Sequence, residues 1–278
     1  MKLLKRYYYF LLYPLFASGL FACEEVVTPD LIAEAPIVVI DGWITDGEPG
    51  SYIILSKSAP FNQSETVPKL TNGQVIVNNN EGKSYSFQHI GEGKYVPLQQ
   101  DFVGQPGKRY TLTVNVEETS YTASIRMPLA PTLDSVSYKL REDDVFFDDG
   151  FYMVAHFQEP ASSRNYYFWQ VLKNGEVVNQ DKLLINSDEQ VNGGYLNFEL
   201  DYNIPLEDVD SADVLGVNLF ALSANAYEYY SGLEFLIEAG SPAQAVPENP
   251  PTNIVGGALG FFNASAINTD TVSVKESL

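Results

Sequence analysis

The chain offers few residue types that could carry out chemistry. Its 278 residues include one cysteine, Cys23, and two histidines, His89 and His156. A lone thiol excludes an internal disulfide framework and any multi-cysteine zinc site. Each histidine sits inside a strand-like stretch, and no spacing gives it a partner for acid–base or metal work, so both are read as structural or exposed. There is no Gly-x-Ser-x-Gly elbow for a nucleophile. GGALG, Gly256 to Gly260, lacks dinucleotide-binding spacing and reads as glycines that let a strand pack closely. Acids are abundant: Glu142-Asp143-Asp144 and Asp148-Asp149 bracket Phe146-Phe147, and Asp208, Asp210 and Asp213 lie in a second loop. Calcium takes about six to eight oxygens, so Asp143, Asp144, Asp148 and Asp149 are its candidates, although neither loop has EF-hand spacing. With so many acids, paired carboxylates say nothing about glycoside hydrolysis. The expectation is therefore a protein that is not an enzyme, with no catalytic constellation, no cofactor and no metal. Aromatic residues are the better candidates. Phe146, Phe147, Tyr167, Trp169, Tyr229 and Tyr230 could stack on sugar rings or anchor a protein partner, set against the plainer reading that alternate members are core.

The thiol gains meaning from what precedes it. MKLLKR carries Lys2, Lys5 and Arg6, and YYYFLLYPLFASGLFA is then uncharged up to Cys23. A short basic region, an apolar run and a small residue form a secretory signal. Pro14 and Gly19 interrupt the run, which is too short for a membrane-spanning helix. Leu20-Phe21-Ala22-Cys23 resembles a bacterial lipobox, with Phe21 where a small residue is usual. This predicts residues 1–22 as a signal peptide and Cys23 as the lipid attachment site of a tether over 23–36. Two or three acyl chains hold a protein on a membrane without spanning it. Glu24-Glu25 looks like the acidic export signal behind the acylated cysteine of Bacteroidota surface lipoproteins. The expected location is the outer membrane, lipid-anchored and at the cell surface. A net charge of −20, from 36 acidic and 16 basic residues, repels phosphate backbones and excludes nucleic acid as a partner.

The elements that must position these residues are strands. From Ile37 the pattern has period two, or short apolar runs closed by turn residues. IVVIDGWIT pairs with YIILSKS, and GQVIVNN with SYSFQH. Lys94–Leu98 follows, and then RYTLTVNV pairs with SYTASIRM. These predict an N-terminal β-sandwich over 37–128. Pro128 and Pro131 mark a boundary. A second β-sandwich-like domain is predicted over 132–278, from Ser135–Leu140, Tyr152–Gln158, Asn165–Leu172, Val177–Ile185, Tyr195–Tyr202, Asp213–Leu222, Ile254–Ala264 and Ile267–Val274. Asn174-Gly175 predicts a type I′ hairpin turn. In SANAYEYYSGLEFLIEAG the period changes. An amphipathic helix near 224–239 is expected, with Ser223 as N-cap, an interruption at Gly232 and Gly240 after its end.

Four stretches in one order, IVVIDGWITDGEPGSYIILSKSAPF, GQVIVNNNEGKSYSFQHIGEGKYVP, LSANAYEYYSGLEF and PPTNIVGGALGFFNA, resemble a Bacteroidota outer-membrane lipoprotein family of unknown function, domain-of-unknown-function family 4249. The hairpin punctuation of the first half is also similar to transthyretin-like repeats. The family resemblance implies a lipoprotein encoded beside a TonB-dependent receptor, and it supplies no catalytic residue. The expected function is a non-enzymatic accessory or binding subunit of a TonB-dependent receptor or another outer-membrane barrel. The alternative is a surface glycan- or peptide-binding lipoprotein acting in nutrient capture.

Overall fold

Alternation along each strand decides which side chains the fold encloses. In RYTLTVNV the residues Tyr110, Leu112, Val114 and Val116 are buried and those between them are not, as a pleated strand with one covered face requires. The computed structural model describes residues 35–59, 67–161, 164–189, 191, 193–238 and 249–275. The signal peptide, Cys23, Glu24, Glu25 and Gly240 lie outside the described residues. In chain order the first strands are β1 (Val38–Thr45), β2 (Tyr52–Lys57), β3 (Gln74–Asn79), β4 (Ser84–Gly91), β5 (Lys94–Pro97), β6 (Arg109–Val116) and β7 (Thr119–Arg126). Next come β8 (Leu133–Arg141), β9 (Gly150–Gln158), β10 (Tyr166–Lys173), β11 (Glu176–Val177), β12 (Leu184–Ser187), β13 (Tyr195–Ile204) and β14 (Val214–Leu222). The helix α1 (Ala224–Glu238) and strands β15 (Leu259–Ser265) and β16 (Ile267–Ser273) complete the order. The fold is mainly β, as expected.

Eight strands form one sheet in the order β15-β1-β2-β5-β4-β3-β6-β7. All its pairings are antiparallel except β1 with β15. The sheet curls almost shut. Thr122 of β7 and Val255, just ahead of β15, exchange backbone hydrogen bonds of 3.0 and 2.7 Å. Ile40, Ile44, Ile53, Leu55, Val77 and Leu112 fill the interior. Gly260 makes the parallel pairing feasible. Its φ is +96°, and a Cβ there would stand 2.1 Å from the Ile40 carbonyl oxygen, so no other residue fits without displacing β1.

A second core lies between a three-stranded sheet, β13-β9-β8, and a sheet ordered β11-β10-β14-β16 with β12 also paired to β10. Met153, Phe157, Tyr167, Trp169, Leu215 and Val217 meet there. Asn174 and Gly175, at φ of 52° and 84°, form the expected type I′ connection of β10 to β11. The stretch Val177–Ile185, expected as one strand, is two short ones. Asn179 turns inward between them, and its Oδ1 accepts a 2.7 Å bond from the Val171 amide.

The boundary read at 128–132 coincides with the passage from β7 to β8, but the sheets cross it. β15 leaves the second half to pair with β1, and Phe220, Leu222, Ala226 and Tyr230 pack into the first core. Pro36–Leu278 clusters as one compact unit. Helix α1 carries these contacts. Ser223 caps it, its Oγ accepting from the Ala226 amide at 3.2 Å, and Ala226 and Tyr230 are buried one turn apart. The expected interruption at Gly232 is absent, and the helix runs unbroken to Glu238. A Cβ on Gly232 would lie 3.2 Å from the Pro250 ring, so that glycine admits the return of the chain.

Candidate functional site

Asp41 is the sole charged residue of the apolar strand β1. Period two puts it on the same face as Trp43, opposite the Ile40–Ile44 face that fills the first core. On the adjacent strand Tyr52 stands opposite Trp43. Across from them lie Phe168 of β10, Phe220 of β14, and Tyr229, Tyr230 and Leu233 of α1. Together these residues line a cleft of about 360 Å³, with Thr45, Pro49, Gln170 and Leu183 completing the wall. The rings are set at steep mutual angles. Trp43 lies 5.4 Å from Phe220 at 76°, 5.5 Å from Tyr230 at 38° and 5.7 Å from Phe168 at 50°. Tyr229 is edge-on to Tyr230 at 5.1 Å and stacks on Phe261 at 5.0 Å.

Two polar groups in this apolar setting are poorly compensated. Loss of water raises the Asp41 carboxyl from 3.8 to about 6, a rise that a hydrogen bond from Trp43 only partly offsets. Tyr230 is 5% exposed, and the polar group its hydroxyl meets is the Trp43 side chain. Burial also raises the phenols of Tyr52 and Tyr230, and pushes that of Tyr229 up to about 12. All three stay neutral at physiological pH. The cleft can desolvate a small ligand, stack on it, and offer one carboxyl and one phenol.

The loop between β8 and β9 is the second candidate. Val145 and Phe146 are 87% and 88% exposed. Beneath them the loop is braced. The Arg141 guanidinium lies 3.7 Å from the Phe147 ring centroid, and its Nη1 is 3.3 Å from Asp144 Oδ2. Asp144 Oδ1 accepts from the Phe146 amide at 2.9 Å, and Asp149 Oδ1 accepts from the Asp143 amide at 2.9 Å. The Phe146 amide, with help from Arg141, holds the Asp144 carboxyl below its usual range. The Tyr152 hydroxyl donates to the Asp148 carbonyl at 2.9 Å. These carboxylates thus serve the backbone and Arg141. Among the described residues no three His, Cys, Asp or Glu side chains converge to hold a metal.

Three of the six candidate aromatics are core, although Tyr230, in the first core, also edges the cleft. Tyr167 and Trp169 are each 1% exposed. Trp169 stacks on Phe198 at 5.4 Å and donates to Asn186 Oδ1 at 2.6 Å. Alternation on β10 explains the correction: Tyr167, Trp169 and Val171 face the second core, while Phe168 and Gln170 face the cleft. The β10 residue with a ring in the cleft is therefore Phe168. Asp41, Trp43, Tyr52 and Phe220 were not singled out from sequence, although an acid two residues from a tryptophan inside IVVIDGWIT is a readable signal. Tyr229 and Tyr230 do reach the cleft. His156 bonds Ser137 Oγ at 2.8 Å and Asn197 Oδ1 at 2.6 Å, and His89 sits beside Tyr95 at 5.2 Å. The structure brings neither histidine to the cleft.

No curated protein matches this chain. The model of one family, described as a domain of unknown function (DUF4249), matches residues 24–271. That span takes in the curled sheet, the second core, the cleft and the β8–β9 loop. The chain is therefore a member of the DUF4249 family.

Proposed function

We propose that this protein is a lipid-anchored, non-enzymatic accessory subunit that docks on a TonB-dependent receptor or a related outer-membrane barrel. The observation that carries the reading is the braced β8–β9 loop, which holds Val145 and Phe146 almost fully in solvent. Apolar side chains held out on a braced loop resemble interface anchors, because the loop backbone has little conformational freedom left to lose on binding. Glu142, Asp143, Asp144, Asp148 and Asp149 surround them. That ring suits a protein socket with an apolar floor and a basic rim, and it disfavours anionic lipid headgroups. Acyl chains on Cys23, exported with the help of Glu24 and Glu25, would hold the subunit beside such a barrel. Extraction from native membranes in mild detergent should recover a barrel with the protein, and the double variant Val145→Ser/Phe146→Ser should lose it. Repeated recovery of the protein alone, even after crosslinking, would sink the reading.

A second reading, capture of a glycan or peptide at the surface, draws on the aromatic cleft. Saturable binding on a glycan or peptide array that survives the double loop variant would favour it.

A further inference from the structure

We propose that the cleft between β1, β2, β10, β14 and α1 binds a small organic ammonium ion, with Asp41 as counter-charge and Trp43, Tyr52, Phe168, Tyr229 and Tyr230 as its aromatic box. The inference concerns the cleft alone and stands whether or not the β8–β9 loop docks on a barrel.

Shape argues for a cation over a sugar. A sugar stacks on a flat ring platform and needs several hydrogen bonds at its edge. Here the rings pack on one another at 38°, 50° and 76° to Trp43 and at 81° within α1, so the cleft they line presents no flat platform. Ring faces around a cation contribute most when water is excluded. Charge argues the same way. Among the described residues no Lys, Arg or His lies within ion-pair distance of Asp41. A bound ammonium would supply the missing ionic partner and offset the desolvation that the Trp43 hydrogen bond leaves uncompensated. The Lys94 ammonium already lies 5.1 Å from the Tyr52 ring centroid, so one ring of the cleft wall accepts a cation. The buried Tyr230 hydroxyl, beside Trp43, supplies a further dipole. The net charge of −20 draws cations toward the surface from a distance.

Protonation of Asp41 must then oppose binding. The ionisable groups packed around it are Tyr52 of β2 and Tyr229 and Tyr230 of α1. Phe168 and Gln170 of β10, Phe220 of β14 and Phe261 of β15 do not titrate. The three phenols are raised and stay neutral in this range, so Asp41 is the group that changes charge between pH 5 and 8.

The test uses the full-length protein in non-ionic detergent. Its probes are choline and n-butylammonium, with neutral 3,3-dimethyl-1-butanol as the uncharged match for choline. Calorimetry and tryptophan fluorescence, to which Trp43 contributes from the cleft, read binding at pH 7.5. The charged probes should bind at least about tenfold more tightly than the alcohol, as a partly desolvated cation–π box and one carboxylate imply. Asp41→Asn should abolish that preference. In the unaltered protein, choline affinity should fall about tenfold per pH unit below the Asp41 pKa, which checks the claim even if the variant folds poorly. Equal binding of charged and neutral probes, no binding of either, or undiminished choline binding by Asp41→Asn overturns the proposal.

Discussion

Replacing Asp41 by Asn should stabilise the protein at neutral pH and leave it unchanged in acid. The carboxyl rises from 3.8 to about 6 because the fold strips its water. Between those values the folded chain holds a proton that the unfolded chain has released. Stability then falls as pH rises across the window, and the full penalty applies above about pH 6. The rise corresponds to about 3 kcal/mol, an upper figure because water and relaxation in a cleft reduce it. Asparagine keeps the size of the side chain and an oxygen that can accept from Trp43, so the charge is what changes. Urea unfolding of both proteins from pH 4 to 8 separates the effect from other carboxyls, which titrate alike in each. The variant should gain nothing near pH 4 and about 1–3 kcal/mol by pH 7. A difference that stays flat with pH, or a variant less stable at pH 7, would refute the desolvation argument. The same penalty, retained in the natural sequence, is what a binding group held ready for a cation would show.

Further outcomes follow from particular contacts. Gly260→Ala combines a φ of +96° with a Cβ 2.1 Å from the Ile40 carbonyl. It should cost several kcal/mol and expose the β1 amides to hydrogen exchange, at roughly the scale of other strained-backbone changes. Ser223→Ala removes the 3.2 Å cap on Ala226 and should cost about 1 kcal/mol in urea melts. Trp169→Ala empties the second core and should cost about 3–5 kcal/mol. Phe146→Ser, at a side chain 88% exposed, should change stability by less than about 0.5 kcal/mol.

Strand alternation and turn residues made most of the fold readable in the sequence. RYTLTVNV, SYTASIRM and the Asn174-Gly175 turn carry their own geometry, and Ser223 announces the start of α1. The pairing of β15 with β1 could not be read. Both stretches show that they are buried, while the choice of neighbour depends on shape complementarity across more than two hundred residues. The same limit governed the site. Tyr166-Tyr167-Phe168-Trp169 contains rings for both faces of β10, and period two divides them without saying which face is core and which is cleft. Tyr229 and Tyr230 could be nominated from their helix, but Asp41 gains its role only when that helix covers it. The Val145–Phe147 loop was legible because acids on both sides left its apolar tip no core to join.

The claim that this protein is a docking subunit is tested most directly by a photo-crosslinking amino acid at position 146 in native membranes, with position 88 as an exposed control on β4. Irradiation should give one covalent adduct, with an outer-membrane barrel, from position 146 and none from position 88. Absence of an adduct at 146, or the same scatter of adducts from both positions, would contradict the account.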